Sequence, residues 1–73
     1  MSKKPIKEVF GENLRRIIKD KTHLDDFAKS NNINRRKLAR WISGESFPES
    51  PEIEKLAELL GVSEAEFFIR NEG

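Results

Sequence analysis

"FAKSNNINRRKLARWISG", residues 27–44, decides how the rest of the chain is read. Its left end closes one amphipathic segment, in which Leu24, Phe27 and Ala28 recur at helical spacing. Its right end is another, with Leu38, Trp41 and Ile42 on the inward stripe. Between them, Asn32 tolerates the left-handed conformation that ends a helix, Ile33 supplies a buried aliphatic, and Asn34 offers a side-chain oxygen to cap the next helix. Gly44 suits the far end, where a positive φ costs least. Two short helices joined by about three residues form a helix-turn-helix. The second of them, helix 35–43, carries Arg35, Arg36, Lys37 and Arg40 and no carboxylate, because no Asp or Glu lies between Lys29 and Ile42. Like charges at that density call for an anionic partner or a solvated face.

Working outward, the same helical periodicity covers most of the chain, with no strand-like alternation, repeat or low-complexity segment. Ile6, Val9, Phe10, Leu14, Ile17 and Ile18 form the stripe of a first helix, with Pro5 in its first turn. Gly11 weakens that helix by roughly 1 kcal/mol relative to Ala, so it marks either a close packing contact or a break. Thr22 followed by Asp25 reads as the start of the second helix. Ser50 as cap and Pro51 at the first position open a fourth helix, whose buried face is Ile53, Leu56, Ala57, Leu59 and Leu60 and whose end is Gly61. Ser63 with Glu66 reads as a capping box for a fifth, bearing Phe67 and Phe68. The expectation is an all-α fold of five helices in one domain, residues 1–73, with a basic N-terminal arm over residues 1–5.

Composition narrows the function. The 73 residues hold no cysteine, which excludes a disulfide framework, a thiolate metal site and a cysteine nucleophile. No apolar run reaches membrane-spanning length and the N-terminus lacks a signal-peptide core, so a cytoplasmic location without membrane partners is expected. The net charge of +1 conceals a bipolar chain: residues 1–43 carry twelve Lys/Arg against five Asp/Glu, and residues 44–73 carry two against eight. Such asymmetry builds a positive face for a polyanion. No glycine-rich phosphate loop, paired-carboxylate cleft or Ser/His/Asp arrangement stands out, so neither an enzyme nor a cofactor is expected, and the lone His23 has no metal-ligand neighbours.

From about Phe10 to Phe68, four-fifths of the chain, the sequence resembles the phage repressor and Cro type of helix-turn-helix, also called XRE-like or lambda-repressor-like. The residues that carry the resemblance are "FGENL" in the first helix, Phe27-Ala28, "NIN" at the turn, "LARWISG" ending the third helix, Pro48, and "LAELLGVSEAEFF". The last string and the Trp41-x-x-Gly44-x-x-x-Pro48 spacing are the most specific. The resemblance implies a five-helix lambda-repressor-like domain whose third helix enters the major groove while the second spans the DNA backbone. It implies base contacts by Arg35, Arg36 and Arg40, and backbone contacts by Lys37, Lys29, Asn34, Ser43 and His23. Arginine pairs with guanine O6 and N7, so a guanine-containing half-site is expected.

The implied function is sequence-specific binding of double-stranded DNA by a transcriptional regulator of the repressor kind. The expected form is a homodimer on a palindromic operator, paired through the loop around Phe47 or the last helices. The alternative is a protein-interaction module on the same fold, an antitoxin, antirepressor or adaptor, for which the acidic half from Glu45 onward would serve. Two departures from the family pattern stand out. Leu24 occupies the position of a phosphate-binding Gln. Ile42, with Ile17 or Ile18, stands where many relatives carry a buried Glu–Arg pair, an exchange that is neutral or stabilising when both partners change together.

Overall fold

The computed structural model describes residues 4–70, and all regular structure in them is helical. α1 spans Ile6–Lys21, α2 Leu24–Ser30, α3 Arg35–Ser43 and α4 Ser50–Leu60. A 3-10 helix, Glu64–Phe68, stands where a fifth α-helix was expected. Side chains hold both of its ends. Ser63 accepts a hydrogen bond from the Ala65 N–H at 3.2 Å rather than from Glu66, whose N–H goes to the Ser63 carbonyl at 3.0 Å. The carbonyls of Phe67 and Ile69 are taken by the side chain of Asn13 on α1, at 2.9 and 2.8 Å. Ile69 is extended, and the 3-10 turn ends at Phe68.

α1 starts behind Pro5, whose carbonyl accepts from Glu8 and Val9 at 3.0 and 3.1 Å. It ends at Thr22, which turns extended while its N–H still reaches the Ile18 carbonyl at 2.8 Å. Thr22 therefore closes α1 rather than opening α2. The residue before α2 is His23, and it makes no side-chain cap. The first turn of α2 relies instead on Asp25 and Asp26 against the helix dipole, with Lys29 in the last turn. α4 also starts one residue earlier than its sequence suggests. Glu49, not Ser50, precedes it, and the Glu49 N–H donates to Glu52 Oε1 at 2.9 Å.

At the α2–α3 joint Asn32 and Asn34 act as expected, whereas Ile33, expected to be buried, is half-buried against the core. Asn32 is the single non-glycine residue with positive φ among the described residues, at 56°. That conformation lets the Ile33 N–H return to the Ala28 carbonyl at 2.8 Å and the Asn32 N–H to Lys29 at 3.3 Å, a Schellman closure of α2. Asn34 Oδ1 then accepts from the Arg36 and Lys37 N–H groups at 2.9 and 3.1 Å, satisfying two of the orphan donors of α3. α3 closes on Gly44 at φ 85°, where the Glu45 N–H reaches the Arg40 carbonyl at 3.0 Å.

One hydrophobic core joins all the elements, drawing on α1, α2, α3, α4 and the 3-10 helix. Phe10 and Phe67 are fully buried, and Phe10 meets the rings of Phe67, Phe47 and Phe68 at centroid distances of 5.1, 5.3 and 5.7 Å. Trp41 is buried, so its role on α3 is packing. Ile17 and Ile18 belong to this core, and Ile42 packs against it half-buried. Gly11 is a close contact and no break: a Cβ there would lie 2.3 Å from the Ile42 carbonyl oxygen and 2.6 Å from that of Trp41. α1 thus presses directly on the C-terminal backbone of α3. That contact sets the attitude of α3 and of the side chains on its outer face.

Candidate nucleic-acid interface

The outer face of α3 carries the positive side chains, because Leu38 and Trp41 commit the opposite stripe to the core. Arg35, Arg36, Lys37 and Arg40 are all exposed. Tertiary structure divides them into two pairs. Arg35 donates through Nε to Oδ1 of Asp25 on α2. Lys37 Nζ lies 2.7 Å from Oε2 of Glu52 on α4 and 5.5 Å from the centre of the Trp41 ring. Arg36 and Arg40 form no ion pair among the described residues. Carboxylate partners missing along the helix are thus supplied to Arg35 and Lys37 by α2 and α4.

The two ion pairs differ in character. Asp25 is highly exposed, so its pair with Arg35 is of the surface kind and contributes about 0–1 kcal/mol. The Glu52 carboxylate is anchored twice, through Oε1 to the Glu49 N–H and through Oε2 to Lys37, and its side chain is two-thirds covered. The hydrogen bond from Lys37, followed by that from the Glu49 backbone, holds its pKa below the ordinary glutamate value.

Arg36 and Arg40 stand four residues apart, one above the other on α3. With Asn34, Lys37, Trp41, Ser46, Phe47 and Glu52 they border an open surface groove. Arg36 also borders a shallower concavity beside Asn34, Arg35 and Ala39. Asn34 has its oxygen committed to the cap, which leaves its amide nitrogen as the group able to donate outward. Ser43 is exposed at the end of α3, with its hydroxyl donating to the Arg40 carbonyl at 3.2 Å. Lys29, in the last turn of α2, is exposed and unpaired among the described residues. His23 is exposed at the opposite end of α2.

The N-terminal arm is described in part. Lys3 lies outside the described residues, whereas Lys4 Nζ is 2.6 Å from Glu12 Oε2, and the Lys4 carbonyl accepts from Arg70 at 2.8 Å. Lys4 is therefore tied to α1 and to the C-terminal segment. Asp25, read from sequence only as part of the α2 start, and Glu52, not singled out at all, supply the carboxylates beside the α3 face, and Asn13, which ties α1 to the 3-10 helix, was not singled out either. The signal for Asn13 is an Asn at an inward position of the first apolar stripe, between Phe10 and Leu14. Among the described residues no His, Cys, Asp or Glu cluster is suited to a metal ion, and no helix is long and apolar enough to cross a membrane. No family model, curated protein or solved structure matches the chain.

Proposed function

We propose that the chain binds double-stranded DNA through the outer face of α3 and acts as a transcriptional regulator, with a lambda-repressor-like arrangement in which α2 and α3 are the two arms of a helix-turn-helix. The observation that carries this reading is the pair Arg36 and Arg40, exposed and unpaired among the described residues, one turn apart beside an open groove. An axial rise of ~1.5 Å per residue separates them by about 6 Å, close to two base-pair steps of ~3.4 Å each. Two guanidinium groups at that separation suit two guanines one or two steps apart in the major groove. Arg35 can join them by exchanging a weak surface carboxylate for the polyanion.

Lys29, Ser43, the Asn34 amide and His23 are the backbone contacts of this scheme, positioning the protein without reading sequence. One helix of nine residues offers a small interface. Binding as a two-fold pair on half-sites about 34 Å apart would supply the area that one copy lacks. Lys37, engaged by Glu52, is left out of the contact set. The test is duplex binding across a salt series. About six phosphate contacts give a loss of roughly a thousandfold in affinity between about 50 and 200 mM salt, and an affinity indifferent to salt refutes the proposal.

One observation favours a protein-interaction module instead. Leu59 is 41% exposed and borders a partly enclosed groove with Ile33, Trp41 and Leu56. Under that reading Leu59→Ser abolishes partner binding, and the wild type shows no salt-dependent affinity for duplex DNA.

A further inference from the structure

The α3 face holds a cation that is solvent-accessible yet not at liberty. Lys37 is exposed, but its ammonium is fixed between the Glu52 carboxylate at 2.7 Å and the face of Trp41 at 5.5 Å. Glu52 in turn cannot swing away with it freely, because its other oxygen accepts the Glu49 N–H at the start of α4. The clamp therefore belongs to the helix end as much as to the lysine. Trp41 is buried in the core and fixes the other wall.

We propose that Glu52 is a specificity-determining residue: by anchoring Lys37 it withholds one cation from DNA phosphates, so that attachment depends on the guanidinium groups of Arg36 and Arg40. This rests on the DNA-binding reading above. The physical reason is that phosphate contacts strengthen binding to every duplex equally, whereas base contacts discriminate. Neutralising a lysine beside the reading arginines lowers the sequence-independent contribution and leaves the sequence-dependent one. Asp25 gives Arg35 no comparable hold, since that carboxylate is exposed and has no second anchor among the described hydrogen bonds.

Three proteins test it: the wild type, Glu52→Gln, and the double variant Glu52→Gln with Lys37→Gln. The glutamine is isosteric and keeps an oxygen for the Glu49 N–H, so the α4 start survives, which far-ultraviolet circular dichroism and thermal melting check. Affinity is measured for a selected duplex and a scrambled one across a salt series. A freed lysine adds about 0.9 to the slope of log affinity against log salt, or about 3.5-fold more affinity lost between about 50 and 200 mM. The proposal expects Glu52→Gln to steepen the slope by that amount and to bind scrambled DNA more tightly, lowering the ratio of selected to scrambled affinity. It expects the double variant, where a neutral pair replaces a neutral pair, to return to the wild-type slope.

A wild-type slope in Glu52→Gln overturns the inference. So does a gain that survives in the double variant, which would make Glu52 merely a repelling charge. A double variant shallower than wild type by about 0.9 also overturns it, because Lys37 would then already contact phosphate. These three results leave DNA binding standing. Failure of the wild type to bind either duplex at about 50 mM salt refutes the DNA-binding reading itself.

Discussion

Replacing Gly11 by alanine sets two effects against each other. In an exposed helix interior the exchange would stabilise by roughly 1 kcal/mol, since glycine is the costlier residue there. At this position the added Cβ meets the Ile42 carbonyl oxygen at 2.3 Å, the Trp41 carbonyl oxygen at 2.6 Å and the Ile42 carbonyl carbon at 2.8 Å. All three atoms are backbone, so no rotamer change relieves them. α3 must shift relative to α1 by roughly 1 Å, in an interior packed too densely to absorb the shift. Overpacking of this kind costs about 1–3 kcal/mol, and a backbone obstacle puts the cost near the upper end. The net expectation for Gly11→Ala is a loss of about 2 kcal/mol. For a domain of this size that lowers Tm by about 8–16 °C. Urea unfolding followed by Trp41 fluorescence and by circular dichroism measures it. A variant as stable as the wild type, or more stable, would refute the close approach of α1 to α3 and with it the fixed attitude of the α3 face.

Asn13→Ala removes the donor to the Phe67 and Ile69 carbonyls; leaving the buried Phe67 acceptor unpaired costs about 1–3 kcal/mol, read as a lower urea midpoint. Glu52 has a folded-state pKa below its ordinary value, so its contribution to stability is complete above the ordinary glutamate pKa and fades as pH falls through the depressed one. Between neutral and acidic pH the wild type should lose more stability than Glu52→Gln, measured by denaturant titration at each pH. Arg36→Ala should cost about 1–3 kcal/mol on the preferred duplex and relax preference at one or two base pairs, whereas Lys29→Ala should weaken matched and scrambled duplexes alike. Equal effects of the two arginine and lysine variants on both duplexes would count against base reading by Arg36.

What was legible in the sequence was local. Asn32, Asn34 and Gly44 act within a few residues of themselves, through a positive φ or a side chain reaching its own backbone, and each does so in the structure. The apolar stripes of α1, α3 and α4 follow from helical spacing and largely coincide with the core. Two residues depart from their stripes: Ile6 is exposed at the start of α1, and Leu59 at the edge of the groove beside α3. The corrections arise where a local cue met a competing partner. Thr22 has a capping side chain, but its backbone is still bound to α1. Ser50 was set aside because Glu49 and Glu52 complete the α4 start one residue earlier. Ser63 caps the Ala65 N–H and not, as the capping box expects, that of Glu66, while Asn13, fifty-four residues away from Phe67 in sequence, holds the carbonyl at the far end of the 3-10 turn.

The candidate interface divides in the same way. That α3 carries an exposed basic face follows from "RRKLAR", where one inward leucine fixes the outward direction of its neighbours. Which of those cations keep their charge unengaged is not a property of the helix. Asp25 and Glu52 arrive from other elements at separations of ten and fifteen residues, and no helical spacing relates them to Arg35 or Lys37. Gly11 is the intermediate case. Its cost to α1 is visible in sequence as a choice between contact and break, and the α3 carbonyls decide for contact.

The most direct measurement is selection of binding sites from a pool of random duplex DNA, run in parallel with the wild type and with Arg36→Ala combined with Arg40→Ala. The wild type should enrich a motif containing guanines one or two steps apart, and the double variant should retain its fold but lose that motif. A wild-type selection that enriches nothing, or a motif unchanged when both arginines are removed, would contradict DNA reading by α3.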